Sequence, residues 1–198
     1  MTGYWLTLLI FFPLAAGVLL ALMPAGATRS IKRLALGASL VELVLSLPLW
    51  WRFDPGTPGW QFAEKRPWLP FLGAEYSIGV DGISVLLVLL TTVITAIAVL
   101  GAWNAVESRA REFFALILAL EAGMIGTFLC RDLLLFYVFW EAMLVPMYLL
   151  IGVWGGSRRR YAAIKFFLYT MAGSVLMLVA ILWLYFFQKS VTGVATFD

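Results

Sequence analysis

Six apolar runs dominate the sequence: Tyr4–Met23, Leu34–Trp51, Ile83–Trp103, Phe113–Cys130, Leu133–Trp154 and Tyr161–Phe187. Each approaches the roughly 20 residues that a helix needs to cross a hydrocarbon core about 30 Å thick. Lipid offers backbone N–H and C=O groups no partner, so such runs must close their hydrogen bonds internally as helices. Charged residues make up only 13% of the chain, against about 25% in a soluble domain. Water is therefore not its main solvent. The expected fold is all-α, a polytopic transmembrane helical bundle with about six spans. Tyr4, Trp5, Trp50, Trp51, Trp103, Trp154 and Tyr185 gather near the run ends, where an interfacial aromatic belt sits.

Small residues after Met23 give the first run some flavour of a cleaved leader. No basic residue precedes it, and it exceeds a normal signal-peptide core, so it reads as a span. The chain divides into 1–81 (two spans and a long loop), 82–187 (spans three to six) and a tail at 188–198. The loop from Arg52 to Asp81 is rich in Pro, Gly and Trp and predicts a short strand near Tyr76–Val80. Only Arg131-Asp132 joins the fourth and fifth runs, which makes them a tight antiparallel pair with Asp132 as helix cap.

Basic residues orient the bundle. The odd-numbered loops carry Arg29, Lys32, Arg33, Arg109, Arg111, Arg158, Arg159 and Arg160; the even loops and tail carry Arg52, Lys65, Arg66, Arg131 and Lys189. The positive-inside bias puts the first set in the cytoplasm, and both the N-terminus and residue 198 on the outer side. The lone Cys130 excludes an internal disulfide. Without histidine, a zinc, haem or copper site lacks its commonest ligand. No glycine-rich phosphate loop follows a strand. Neither a metal nor a cofactor is expected on this chain, and its partner is the lipid bilayer rather than nucleic acid.

Four ionisable residues lie inside the runs: Glu42, Glu121, Glu141 and Lys165. A charge at the bilayer centre costs about 2.5–3.5 kcal/mol on insertion scales, so each is a functional candidate. Glu121 and Glu141 sit at similar depth on neighbouring helices, each roughly 15 Å from the turn between them. Pro146 lacks an N–H and frees the carbonyl of Ala142, beside Glu141. Tyr137 and Tyr148, four residues before and seven after, share the Glu141 face. An acid, two hydroxyls and a loosened backbone on one stripe can hold water, which makes Glu141 the leading proton-transfer residue. Bland readings stand beside the others. Lys165 is long enough to snorkel to lipid phosphates, and Glu42 and Glu121 can be neutral acids bonded to a neighbouring helix. Gly123 and Gly126 allow a close helix approach beside Glu121.

The run Phe139-Trp-Glu-Ala-Met-Leu-Val-Pro-Met-Tyr148, continued through Leu149–Gly155 and Arg160–Tyr169, resembles the antiporter-like membrane subunit M of bacterial proton-pumping NADH:quinone oxidoreductase, respiratory complex I. Gly79-Val-Asp-Gly-Ile-Ser84 and Thr192–Phe197 are similar to the same subunit, whereas the first two spans are generic. The resemblance implies an antiporter-like fold of roughly fourteen helices with two inverted repeats. This chain corresponds to its N-terminal portion: three leading helices and the start of the first repeat. It maps the family's proton-translocating fifth-helix glutamate onto Glu141 and puts that residue's lysine partner on a seventh helix, beyond Asp198. Lys165 is not that lysine, but stands as a candidate for a polar route on the cytoplasmic side.

The expected function is therefore a proton-translocating subunit of this membrane-bound oxidoreductase, in the bacterial inner membrane with other membrane-arm subunits. Flavin, iron–sulfur clusters, NADH and quinone would belong elsewhere in the complex. A subunit of a multi-subunit cation/proton antiporter, or a non-transporting scaffold fragment, are the alternatives.

Overall fold

The computed structural model describes residues 3–198. Helices α1 (Trp5–Leu22), α2 (Thr28–Arg52), α3 (Gly82–Ala105) and α4 (Ala110–Leu129) are followed by α5 (Leu133–Ala142), α6 (Leu144–Trp154) and α7 (Arg159–Thr192). With α5 and α6 as the two halves of one span, six helical segments among the described residues are long and apolar enough to cross a membrane. The structure is mostly helical, as expected.

Four boundaries differ from the sequence reading. Helix α2 begins at Thr28 rather than near Leu34, because the basic turn at its start continues the helix into the interface. There the Lys32 ammonium donates to the carbonyl of Trp103 at the end of α3, 2.5 Å away. The fifth span is interrupted at Met143, three residues before Pro146, whose missing N–H breaks the helical ladder. Helix α7 runs to Thr192, so the tail starts at Gly193 rather than at residue 188. Lastly, the long loop holds two strands, β1 (Gln61–Leu69) and β2 (Ala74–Val80), paired antiparallel through a one-turn 3-10 helix at Pro70–Leu72.

The hairpin lies over one end of the bundle. The start of α1, the α4–α5 turn and the tail share that end, while the loops bearing the eight expected cytoplasmic cations lie at the other. Helices α1 to α4 form the packed body. Leu6, Leu9, Ile10, Leu49, Val85, Ile125 and Leu129 fill it beneath the hairpin residues Ile78 and Val80. Ala16, Leu20, Ile31, Ala35, Val99, Phe114 and Leu118 fill the opposite half. At Gly17 a Cβ would lie 3.0 Å from the carbonyl oxygen of Ala115, so glycine sets how closely α1 approaches α4.

Candidate functional site

Helix α5 presents Glu141 one residue before its end, roughly 12 Å from Leu133 along the axis. The carboxyl is half-buried, and its Oε1 is enclosed with no hydrogen-bond partner. One turn earlier, the Tyr137 hydroxyl lies against both the Glu141 carboxyl and the Ser174 hydroxyl of α7. An i, i+4 spacing on α5 produces the first contact; Ser174, one of the few buried residues of α7, supplies the second. Two residues beyond Glu141 comes the interruption at Met143, and Pro146 is buried behind it. An acid, a phenol and an aliphatic hydroxyl thus adjoin a weakened helical ladder, within the span.

Tyr148 does not join them. Seven residues separate it from Glu141, about 10 Å of helix rise, and its ring packs edge-on against Phe167 of α7, 5.6 Å between centroids. Lys165 also stands apart. It is exposed, with its ammonium 5.8 Å from the centre of the Tyr161 ring, and it lines an open cavity with Arg158 and Arg159 at the basic end. Ser174, which marks the level of the Glu141 cluster, lies nine residues further along α7, roughly 13 Å away.

Glu121 lies about 12 Å from the end of α4, level with Glu141 as the spacing predicted, but it faces elsewhere. At 3.6 residues per turn, Gly123 and Gly126 point roughly 200° and 140° away from it. That glycine face receives α5: added Cβ atoms would lie 2.5 Å from Met143 Cγ and 2.4 Å from the Phe139 ring. Glu121 is turned instead toward α2 and α3. It and Glu42 are fully buried, the Glu121 carboxyl close enough for its charge to act on Glu42, with Thr95 of α3 against Glu121. The carboxyl oxygens of both lack hydrogen bonds of ordinary geometry.

Sequence reasoning missed the polar work at the hairpin end. Glu64 of β1 accepts from the Leu6 N–H at 2.8 Å and from the Thr7 hydroxyl at 2.5 Å, and so caps α1 from a distant strand. Thr7 also bonds Tyr76 of β2, 2.9 Å away; burial pushes the Tyr76 hydroxyl up from its ordinary value. The predicted cap Asp132 takes the N–H groups of Leu134 and Leu135 on one oxygen and that of Glu75 on the other. The tail closes the assembly. Leu133 N–H donates to the Phe197 carbonyl, and Asp198 pairs with Lys65 at 3.1 Å and Arg131 at 3.6 Å. Only a signal of long-range pairing could have revealed these ties.

Comparison with known proteins agrees with this arrangement. A family model described as "NADH:quinone oxidoreductase/Mrp antiporter, TM" matches residues 130–197. NADH-quinone oxidoreductase subunit M of Rhodobacter capsulatus is 50% identical over 184 residues, covering 91% of this chain and 35% of that protein. Among solved structures, respiratory complex I from Thermus thermophilus with bound NADH superposes with a TM-score of 0.80 at 31% identity, over 97% of this chain and 37% of the other. The Mrp complex from Dietzia sp. DQ12-45-1b gives 0.77 at 20% identity, over 96% and 20%, a likeness of fold alone. The chain spans about a third of the length of the curated relatives it matches. In sequence and fold, this chain is a relative of the antiporter-like membrane subunits of NADH:quinone oxidoreductase.

Proposed function

We propose that the chain forms part of a proton-translocating membrane subunit of an NADH:quinone oxidoreductase and that Glu141 carries the proton. The carrying observation is the setting of Glu141: an enclosed, unpartnered oxygen beside the Tyr137 hydroxyl and a proline-weakened ladder, within a membrane span. An ionised carboxylate there is costly unless a cation or water solvates it. A change in that solvation shifts the balance between charged and neutral forms. A proton is then taken up when the acid is dry and released when counter-charge or water returns. Tyr137 and Ser174 can orient the acid or a water beside it. The backbone at Met143, free of a full ladder, gives α6 room to move against α5.

In this reading quinone reduction drives the change from elsewhere in the complex, where flavin and iron–sulfur clusters reside. The partners are other membrane-arm subunits, the setting is the bacterial inner membrane, and the hairpin end faces outward. The test is Glu141→Gln in the assembled complex, with NADH:quinone electron transfer and proton uptake into sealed vesicles measured together. The expected result is intact assembly with proton transfer abolished or strongly cut. Normal pumping by a stably assembled variant overturns the assignment.

A second reading, a subunit of a cation/proton antiporter, is supported by the family model matched over residues 130–197, whose description names the Mrp antiporter beside NADH:quinone oxidoreductase. It predicts proton movement in response to an imposed sodium gradient without NADH. A scaffold without transport predicts that Glu141→Gln alters assembly or stability alone.

A further inference from the structure

We propose that Glu42 and Glu121 form a second proton-holding site, separate from Glu141, in the interior of α2, α3 and α4. The inference does not depend on the role given to Glu141. It begins with an anomaly of packing. Helix interfaces above and below this level are filled with Leu, Ile, Val and Ala, yet here two carboxyls are completely shut off from solvent. None of their four oxygens has a hydrogen bond of ordinary geometry, the Thr95 hydroxyl beside Glu121 being the nearest polar neighbour given for either acid. Burying even a neutral polar group unpartnered costs about 2–7 kcal/mol, depending on the reference state. A purely structural interface would be better served by apolar side chains.

The surroundings select the ligand. Helices α1 and α3 carry no ionisable side chain. Those of α2 other than Glu42 lie at its ends (Arg29, Lys32, Arg33 and Arg52), and those of α4 other than Glu121 in its first turn (Arg111 and Glu112). Glu141 lies on α5, which packs on the opposite, glycine-bearing face of α4, while Tyr137 and Tyr148 interact with α7. Two carboxylates without a cation do not both ionise in a dry interior, so the pair holds at least one proton. Among the described residues, no group of three acidic, histidine or cysteine side chains could bind a metal ion.

Buried hydroxyls flank the two acids on α2 and α3. Ser39, Glu42 and Ser46 recur on α2 at spacings of three and four, which puts them on one face. Thr91, Thr92 and Thr95 are buried on α3. Ser46 and Thr92 bond one another across the interface at 3.1 Å. Thr95 lies against Glu121. Together they make a polar layer of hydroxyls around the two acids within an otherwise apolar body. Binding consists of adding one proton from water to a carboxylate oxygen; release is the reverse.

The test is infrared difference spectroscopy on the whole chain in lipid nanodiscs, between acidic and alkaline buffers, in H2O and D2O. The proposal expects a protonated-carboxyl C=O band with an amplitude of one proton per chain. This band should titrate, shift in D2O and persist in Glu141→Gln. It should vanish in the double variant Glu42→Gln/Glu121→Gln and be indifferent to replacing sodium with choline. If the glutamine variants fail to fold, Thr95→Val identifies the band by moving its frequency. A band that neither exchanges nor titrates overturns the proposal in favour of a static neutral acid. Dependence on sodium overturns it in favour of a monovalent-cation site. Persistence in the folded double variant overturns it outright.

Discussion

Replacing Asp132 by alanine removes the acceptor of three backbone hydrogen bonds at once. Asp132 is fully buried. Its Oδ1 takes the N–H groups of Leu134 and Leu135 at 2.9 and 3.0 Å, and its Oδ2 takes that of Glu75 at 3.0 Å. Loss of a helix cap costs about 0.5–2 kcal/mol. A donor left unsatisfied in a part-buried position adds about 1–3 kcal/mol. The expected loss is therefore about 2–4 kcal/mol, concentrated where β2 meets α5. Asparagine separates the two contributions. Its amide oxygen still caps α5, but its NH2 faces the Glu75 N–H and cannot accept. Hydrogen exchange of the protein in nanodiscs reads each amide. In Asp132→Ala, the amides of Leu134, Leu135 and Glu75 should all exchange about thirtyfold faster or more, the factor for 2 kcal/mol. In Asp132→Asn, only Glu75 should accelerate strongly. Wild-type protection in the alanine variant, or equal exposure of Leu134 and Leu135 in both, would refute the reasoning.

Gly126→Ala drives a Cβ to 2.4 Å from the Phe139 ring and should cost about 1–3 kcal/mol by overpacking, read as a lower thermal midpoint in detergent. Gly101→Ala is the control, because nothing lies within 4 Å; it should be neutral or stabilising by up to about 1 kcal/mol. Asp81→Ala removes the acceptor of the Ile83 and Ser84 N–H groups and should cost about 1 kcal/mol. Backbone bonding, led by Ser84, holds the Asp81 carboxyl below its ordinary value. Its contribution is therefore complete above the ordinary carboxylate range and lost as pH falls through the depressed value; Asp81→Asn should flatten that part of an acid titration of stability. Lys65, bonded first to Glu75 and then to Asp198, is held above its ordinary value. Its tie to the tail should be complete below the ordinary lysine range and weaken as pH rises through the raised value. High salt should loosen the same tie, which proteolysis of the tail would report.

The spans were legible because lipid permits so few solutions. A run of apolar residues long enough to cross must become a helix, and proline 146 predicted a disturbance that the structure realises at Met143. Depth was legible too, since the rise per residue puts Glu121 and Glu141 level. Azimuth was not. Rotating Glu121 away from α5 follows from Gly123 and Gly126 taking the contact face, a choice that requires knowing which helix each face meets. Tyr148 shows the same limit: sharing a stripe with Glu141 did not bring it near, because two turns of helix intervene. The hairpin was half legible. Strand propensity marked Tyr76–Val80, but β1 contains Pro67 and several charges, and two of those charges, Glu64 and Lys65, find distant partners in Thr7 and Asp198.

The bond from the Leu133 amide to the Phe197 carbonyl has a consequence for biosynthesis. The acceptor leaves the ribosome roughly 64 residues after the donor, which at about 5–20 residues per second is an interval of about 3–13 seconds. Throughout that interval the Leu133 amide has no Phe197 carbonyl to bond. The span that follows must be threaded before the tail can return to the hairpin. Closure of this end therefore follows the synthesis of α7, and the ordering of Asp198 against Lys65 reports it.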